Sequence, residues 1–235
     1  MFSQGRFVTM IILVINFGLY AATAVYSMKG NSGDILNIDV MTLRMFGAKW
    51  PEAQFLAGQW WRLVTAGFLH GGVVHILFNS WALFDVGALV EQIFGVRRYI
   101  VIYFVTTVCG YLASTYWSPV TSIGASAGIF GLIGAMIAIG TKSRTPMGDA
   151  LRSHFLQWAV FALVMSFVIS GVDNAAHIGG LTSGFAIAWV AGTPRAVESP
   201  VEKIWGLAAI LCLILTVASF ALMFLNFASI SIPQA

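Results

Sequence analysis

Charge is scarce in this chain. Asp, Glu, Lys and Arg together make up 9% of its 235 residues, whereas a soluble domain carries about a quarter. That scarcity excludes an ordinary water-exposed surface. Cysteine is limited to Cys109 and Cys212, both inside apolar runs, so no disulfide framework and no zinc spacing of Cys with His is present. No internal repeat or low-complexity tract occurs. The net charge of +3 is scattered rather than clustered, which argues against nucleic-acid binding.

Long hydrophobic runs take the place of charge. Stretches free of Asp, Glu, Lys and Arg run from Phe7 to Met28, Leu63 to Phe84, Tyr99 to Thr141, Ser153 to Val172, Asn174 to Pro194 and Ile204 to Ala235. About 20 apolar residues cross the hydrocarbon core as a helix, and only helices satisfy their own backbone there. The third stretch is about twice that length. It carries turn chemistry at Trp117-Ser118-Pro119 through Gly124, so it splits in two. The expected fold is all-α: one polytopic membrane bundle over 1–235, with six core helices and an added seventh span over 204–226. The first run exceeds a signal-peptide core and is read as an uncleaved first helix.

Lys and Arg orient the spans. Arg6, Arg97, Arg98, Lys142, Arg144, Arg152, Arg195 and Lys203 share one side, against Lys29, Arg44, Lys49 and Arg62 in one loop. The positive-inside rule then gives a cytoplasmic N-terminus and an external C-terminus. The loop 29–62 mixes apolar residues and charges with Trp50, Trp60 and Trp61. Such a mixture suits a segment lying in the outer interface; a folded extramembrane hairpin is the alternative.

Polar groups inside such spans are costly and usually functional. Ser126 stands in Gly124-Ala125-Ser126-Ala127-Gly128. Counting back from Lys142 gives about 24 Å of helix, which puts Ser126 at a helix N-terminus sunk below the outer surface. Taken alone, it reads rather as a small packing residue beside Gly128, Gly131 and Gly134. His177 opens the sixth span, where Gly180 and Gly184 allow close helix approach. An imidazole beside the Ser126 hydroxyl can take its proton and return it to a leaving amine. His75 and Asn79, four apart on one helical face, can both donate to a developing oxyanion. A metal pair or proton relay from His70, His75 and His177 is the rival, but Asp85 and Glu91 fall toward the cytoplasmic end and offer no acidic ligand at that depth. His154 reads as an interfacial histidine.

The ordered set Trp61-Arg62, His70, His75-xxx-Asn79, Glu91, Gly124-x-Ser126 and Ala176-His177-xx-Gly180 resembles the rhomboid intramembrane serine proteases, over about Gln59 to Trp189. The resemblance implies a catalytic Ser126 and His177 without a catalytic acid, with His75, Asn79 and the Ser126 N–H at the oxyanion. It implies structural roles for Arg62 and Glu91. It further implies cleavage of single-span membrane proteins near the outer surface, lipid surroundings, no cofactor, no metal and no nucleic acid, in a multi-pass protein of a bacterial inner membrane. Two positions depart from the family pattern: Ala127 replaces the usual glycine after the serine, and Phe130 stands where many members stack tyrosine on the histidine. An extra methyl at 127 either restricts substrate approach or is tolerated. The competing functions are a protein that holds membrane helices without cutting them, and a transporter using the histidines as a proton path. The latter lacks a pair of matching interrupted spans.

Overall fold

A computed structural model describes residues 6–30, 34–169, 171–194 and 199–227. Arg195 and positions 31–33 of the first loop lie outside the described residues. The named elements of the described residues are helices: α1 (Phe7–Lys29), α2 (Val40–Met45), α3 (Pro51–Ala57), α4 (Arg62–Thr65), α5 (Val73–Ala82), α6 (Ala88–Trp117), α7 (Ser126–Ser143), α8 (Pro146–Val168), α9 (Asn174–Ala191) and α10 (Pro200–Asn226). Start signals are written locally. Thr145 and Ser199 cap α8 and α10 with their hydroxyls, and each is followed by proline at the first helical position.

Four helices, α1, α7, α8 and α10, have the length and apolarity of membrane spans, and a fifth apolar stretch runs from Val73 to Trp117. That stretch is two crossings. A π-helical turn at Leu83–Gly87 joins α5 to α6. Gly95 then adopts φ 70 and ψ 166, a left-handed break that only glycine takes cheaply. With α9 against α7, the bundle has the expected all-α, polytopic form, and α10 is the additional helix.

Span boundaries differ from the charge-free runs. The second span does not begin at Leu63. Residues 62–68 form α4 and a 3-10 turn, so the first loop extends beyond Arg62. The span instead runs from Val73 past Asp85 and Glu91 to Gly95. Glu91 fits inside because its carboxylate serves a purpose: it accepts from the Val8 N–H (2.9 Å), the Thr9 N–H (3.0 Å) and the Thr9 hydroxyl (2.9 Å). Those N–H groups open α1 and have no intrahelical partner. α8 likewise starts earlier than expected, at Pro146, and carries Asp149 and Arg152 in its first turns.

α7 is the central helix, in contact with α6, α8 and α9. Its Leu132, Ile133 and Met136 are buried in the main core with Leu83, Phe94, Ile102 and Phe155. A Cβ at Gly180 or Gly184 of α9 would overlap the carbonyl oxygens of Ala127 and Gly131 on α7. The two backbones therefore meet directly, as the glycine spacing predicts. Basic residues divide between the two ends of the bundle. At one end Arg97 and Arg98 meet Glu202 of α10, and Lys142 donates to the Trp189 carbonyl (2.8 Å). At the other, Arg44, Lys49 and Arg62 organise the first loop.

Candidate active site

Gly124 sets up the site. Its φ of 122 lets the chain turn from the α6–α7 loop into α7. The turn is pinned from both sides: the Gly124 N–H donates to the Ala66 carbonyl (2.9 Å), and the Gly124 carbonyl accepts from the Tyr111 hydroxyl (2.7 Å). Ser126 follows as the first residue of α7 and is half-buried. The free N–H groups of that first turn have no intrahelical acceptor, and they bias the spot toward negative charge.

His177 occupies the first turn of α9. Asp173 caps that helix, accepting from the Ala176 N–H (3.1 Å) with its side chain and from the His177 N–H (3.2 Å) with its carbonyl. Because α7 and α9 meet through glycine, the two helix starts lie side by side. His177 Nε2 is 2.8 Å from Ser126 Oγ. Phe130, one turn along α7, stacks on the imidazole with centroids 4.3 Å apart and planes 22° apart. Phenylalanine therefore supplies the aromatic platform without a hydroxyl. His177 Nδ1 is buried without a hydrogen-bond partner among the described residues, so no carboxylate among them is hydrogen-bonded to the ring. The imidazole is oriented by stacking and by its helix.

His75 comes from α5 to the other side of Gly124. A Cβ at position 124 would lie 2.7 Å from His75 Nε2 and 3.6 Å from Ser126 Oγ. The missing side chain is thus what lets imidazole and hydroxyl approach. The His75 Nδ1 accepts from the Gly71 N–H (3.4 Å), leaving Nε2 as the donor in that tautomer. Asn79 sits one turn further on and is buried; its amide donates to the His75 carbonyl (3.0 Å), leaving its second N–H available. His70 packs edge-on against the His75 ring, with centroids 5.0 Å apart. Ser126, His177, Phe130, Gly124 and His75 thus converge, with Asn79 behind His75.

Ala127 does not face this group. Its methyl is fully buried among Leu63, Ala66, Tyr111 and Ala176, on the packing side of α7. The first-loop arginine is equally structural. Arg62 donates to Gln59 Oε1 (2.7 Å) and to the carbonyls of Arg44 (2.6 Å) and Ala48 (3.0 Å).

The Rhomboid domain family matches residues 57–194, which span every residue of this cluster. The chain belongs to the rhomboid family. It is 39% identical over 155 residues to the rhomboid protease GluP of Bacillus subtilis, covering 66% of this chain and 30% of that protein. It is 33% identical over 165 residues to RHOMBOID-like protein 1 of Arabidopsis thaliana, covering 69% and 42%. With Rhomboid-like protease 3 of Toxoplasma gondii it shares 31% over 150 residues, covering 62% and 57%. This rhomboid chain thus spans between 30% and 57% of the lengths of these relatives. Like other family members it is an integral, multi-pass membrane protein.

One buried group escaped sequence reasoning. Lys49 of the first loop is fully buried, with its Nζ 4.0 Å from Asp173 Oδ2. Burial pulls the ammonium down to about 8, and nearby Asp173 and Glu52 offset that only in part. Asp173 carries a local signal as an N-cap preceding an apolar helix. Nothing in the spacing joins it to Lys49.

Proposed function

We propose that this rhomboid is an intramembrane serine endopeptidase that cleaves single-span membrane proteins near one membrane surface. The observation carrying this reading is the 2.8 Å approach of Ser126 Oγ to His177 Nε2, with the ring held on Phe130. Ser126 Oγ attacks the scissile carbonyl carbon while His177 Nε2 takes the hydroxyl proton. The tetrahedral oxyanion is met by the Ser126 N–H, His75 Nε2–H and the free Asn79 N–H. Collapse breaks the C–N bond, and the proton on His177 leaves with the amine. Water then repeats the sequence on the acyl-enzyme, with His177 again as base.

The magnitudes suit the parts. A positioned general base contributes roughly 10²–10⁴-fold, and each oxyanion donor about 10²–10³-fold in kcat. Substrate backbone must be extended at the cut, so helix-weakening residues around the scissile bond are expected. α8 buries only Gly148, Phe155, Ala159 and Ser166. It meets α5 through the Trp81–Trp158 contact, and this α5–α8 seam is the proposed way in for a substrate helix.

The proposed setting is a bacterial inner membrane, with the N-terminus cytoplasmic and the site toward the outer face, in contact with lipid and free of cofactor. Mass spectrometry of products from a co-reconstituted single-span substrate tests the reading. The intact chain is expected to yield two fragments and Ser126→Ala none. Equal cleavage by both would overturn it. No cleavage by either would favour a protein that holds helices without cutting them.

A further inference from the structure

Lys49 is the first-loop side chain driven deepest into the protein. Its Nζ donates to the carbonyl oxygens of Ser118 and Val120, both at 2.7 Å, and of Ser114 at 3.4 Å. These are the carbonyls that end α6 and begin the following loop. Ser114 Oγ donates to Asp173 Oδ2, the carboxylate oxygen facing Lys49. The Lys49 backbone meanwhile pairs with Ser122 in both directions, at 2.9 and 3.0 Å. Ser122 lies four residues before Ser126, and Asp173 four before His177. One residue therefore grips both chain segments that deliver the reacting groups.

Stability alone is a poor reason for such a residue. Burying an ammonium costs several kcal/mol even when paired, and an apolar side chain of similar size often packs as well or better. What an ammonium adds is direction. It demands several oxygens at fixed distances, and here those oxygens belong to α6, the α6–α7 loop and the α9 cap. We infer that Lys49 is a positioning residue: held between the α6 carbonyls and the Asp173 cap, it fixes the starts of α7 and α9 against each other and so sets the Ser126–His177 distance. The inference rests on the hydrolase reading of the same site.

The test compares Lys49→Met, Asp173→Asn, the double variant and Lys49→Arg with the unmodified chain and Ser126→Ala. Cleavage of a co-reconstituted single-span substrate is measured across pH, with folding followed by melting temperature. A displacement of about 1 Å costs about 10²-fold, so each single variant is expected to lose tenfold to a hundredfold in kcat, with KM within about twofold. The double variant should lose less than the product of the singles, because the two groups act as one. Lys49→Arg, which keeps the charge, should recover part of the loss.

The pH profile adds a readout that mere packing would not move. Lys49 faces the carboxylates of Asp173 and Glu52, and it loses its proton near pH 8 in the fold but near 10.5 when unfolded. Between those values the unfolded chain binds more protons at this site, so this titration favours the fold as pH rises. A fall in kcat through about pH 8 without a fall in melting temperature therefore reports lost positioning. Removing the Asp173 charge should move that fall to lower pH.

Unchanged kcat in folded Lys49→Met and Asp173→Asn, or an alkaline limb that Asp173→Asn leaves in place, overturns the inference. If Lys49→Met does not fold, the nearly isosteric Asp173→Asn decides by the same two criteria. An unmodified chain no more active than Ser126→Ala would fail the hydrolase reading, and this inference with it. An active unmodified chain with indifferent variants fails this inference alone.

Discussion

At the scale of single residues, the site depends on what is absent as much as on what reacts. Gly124 has no side chain where a Cβ would press on His75. Among the described residues no acid is hydrogen-bonded to the His177 ring, which is held instead by Phe130 and by its place in the first turn of α9. Ala127 matters for the opposite reason. The sequence left open whether its methyl narrows the approach to Ser126, and the structure buries it in a small cluster away from the hydroxyl. Ala127→Gly is therefore expected to leave KM within about twofold and to cost about 1 kcal/mol from helix propensity, with more if a void remains. Equilibrium unfolding in detergent alongside cleavage kinetics checks both. A large drop in KM would mean that the methyl faces substrate after all.

At the scale of elements, the glycine-lined seam between α7 and α9 brings two helix starts to one level. A second device docks the added helix. Arg98 of α6 makes two hydrogen bonds to the Glu202 carboxylate of α10, at 2.6 and 2.9 Å, both side chains are buried, and Trp205 lies under the guanidinium. Leaving one member of such a pair unpartnered costs about 3–5 kcal/mol, whereas replacing both by apolar groups is often neutral. Glu202→Leu strips the buried Arg98 of its carboxylate and is thus expected to lower stability by that amount, Arg98→Leu to lower it as well, and the double variant by much less than the sum, read by unfolding of the purified chain. Equal, additive losses would show that the pair does not dock α10. The serine and histidine lie at the opposite end of the bundle, so activity in the folded fraction should change little.

At the scale of the whole molecule, the bundle and its central pair were legible because their signals are local or periodic. The apolar runs, Gly124-x-Ser126 and the glycines after His177 needed no knowledge of distant contacts. Two things were not legible for one shared reason. Asp85 made the second span look as if it ended at Phe84, and Glu91 did not argue otherwise, because a carboxylate reads as a surface residue until its partner, here the open end of α1, is known. Lys49 read as a loop charge until Asp173 and the α6 carbonyls surrounded it. Buried charges are decided by long-range pairing, which spacing along a chain does not encode. The division of basic residues between the ends leads to a further prediction about orientation. In a chain with Cys109 and Cys212 replaced by serine, Arg144→Cys should react with an impermeant thiol reagent only from the cytoplasmic side, and Asp34→Cys only from the outer side. The reverse pattern would invert the proposed topology.

The central claim is that Ser126 is made nucleophilic by His177. Its most direct measurement is labelling by a fluorophosphonate, with the modified peptide located by mass spectrometry. The account predicts a single adduct on Ser126, formed in the unmodified chain and lost in a folded His177→Ala variant. An adduct that forms at the same rate without His177, or on another residue, would contradict it.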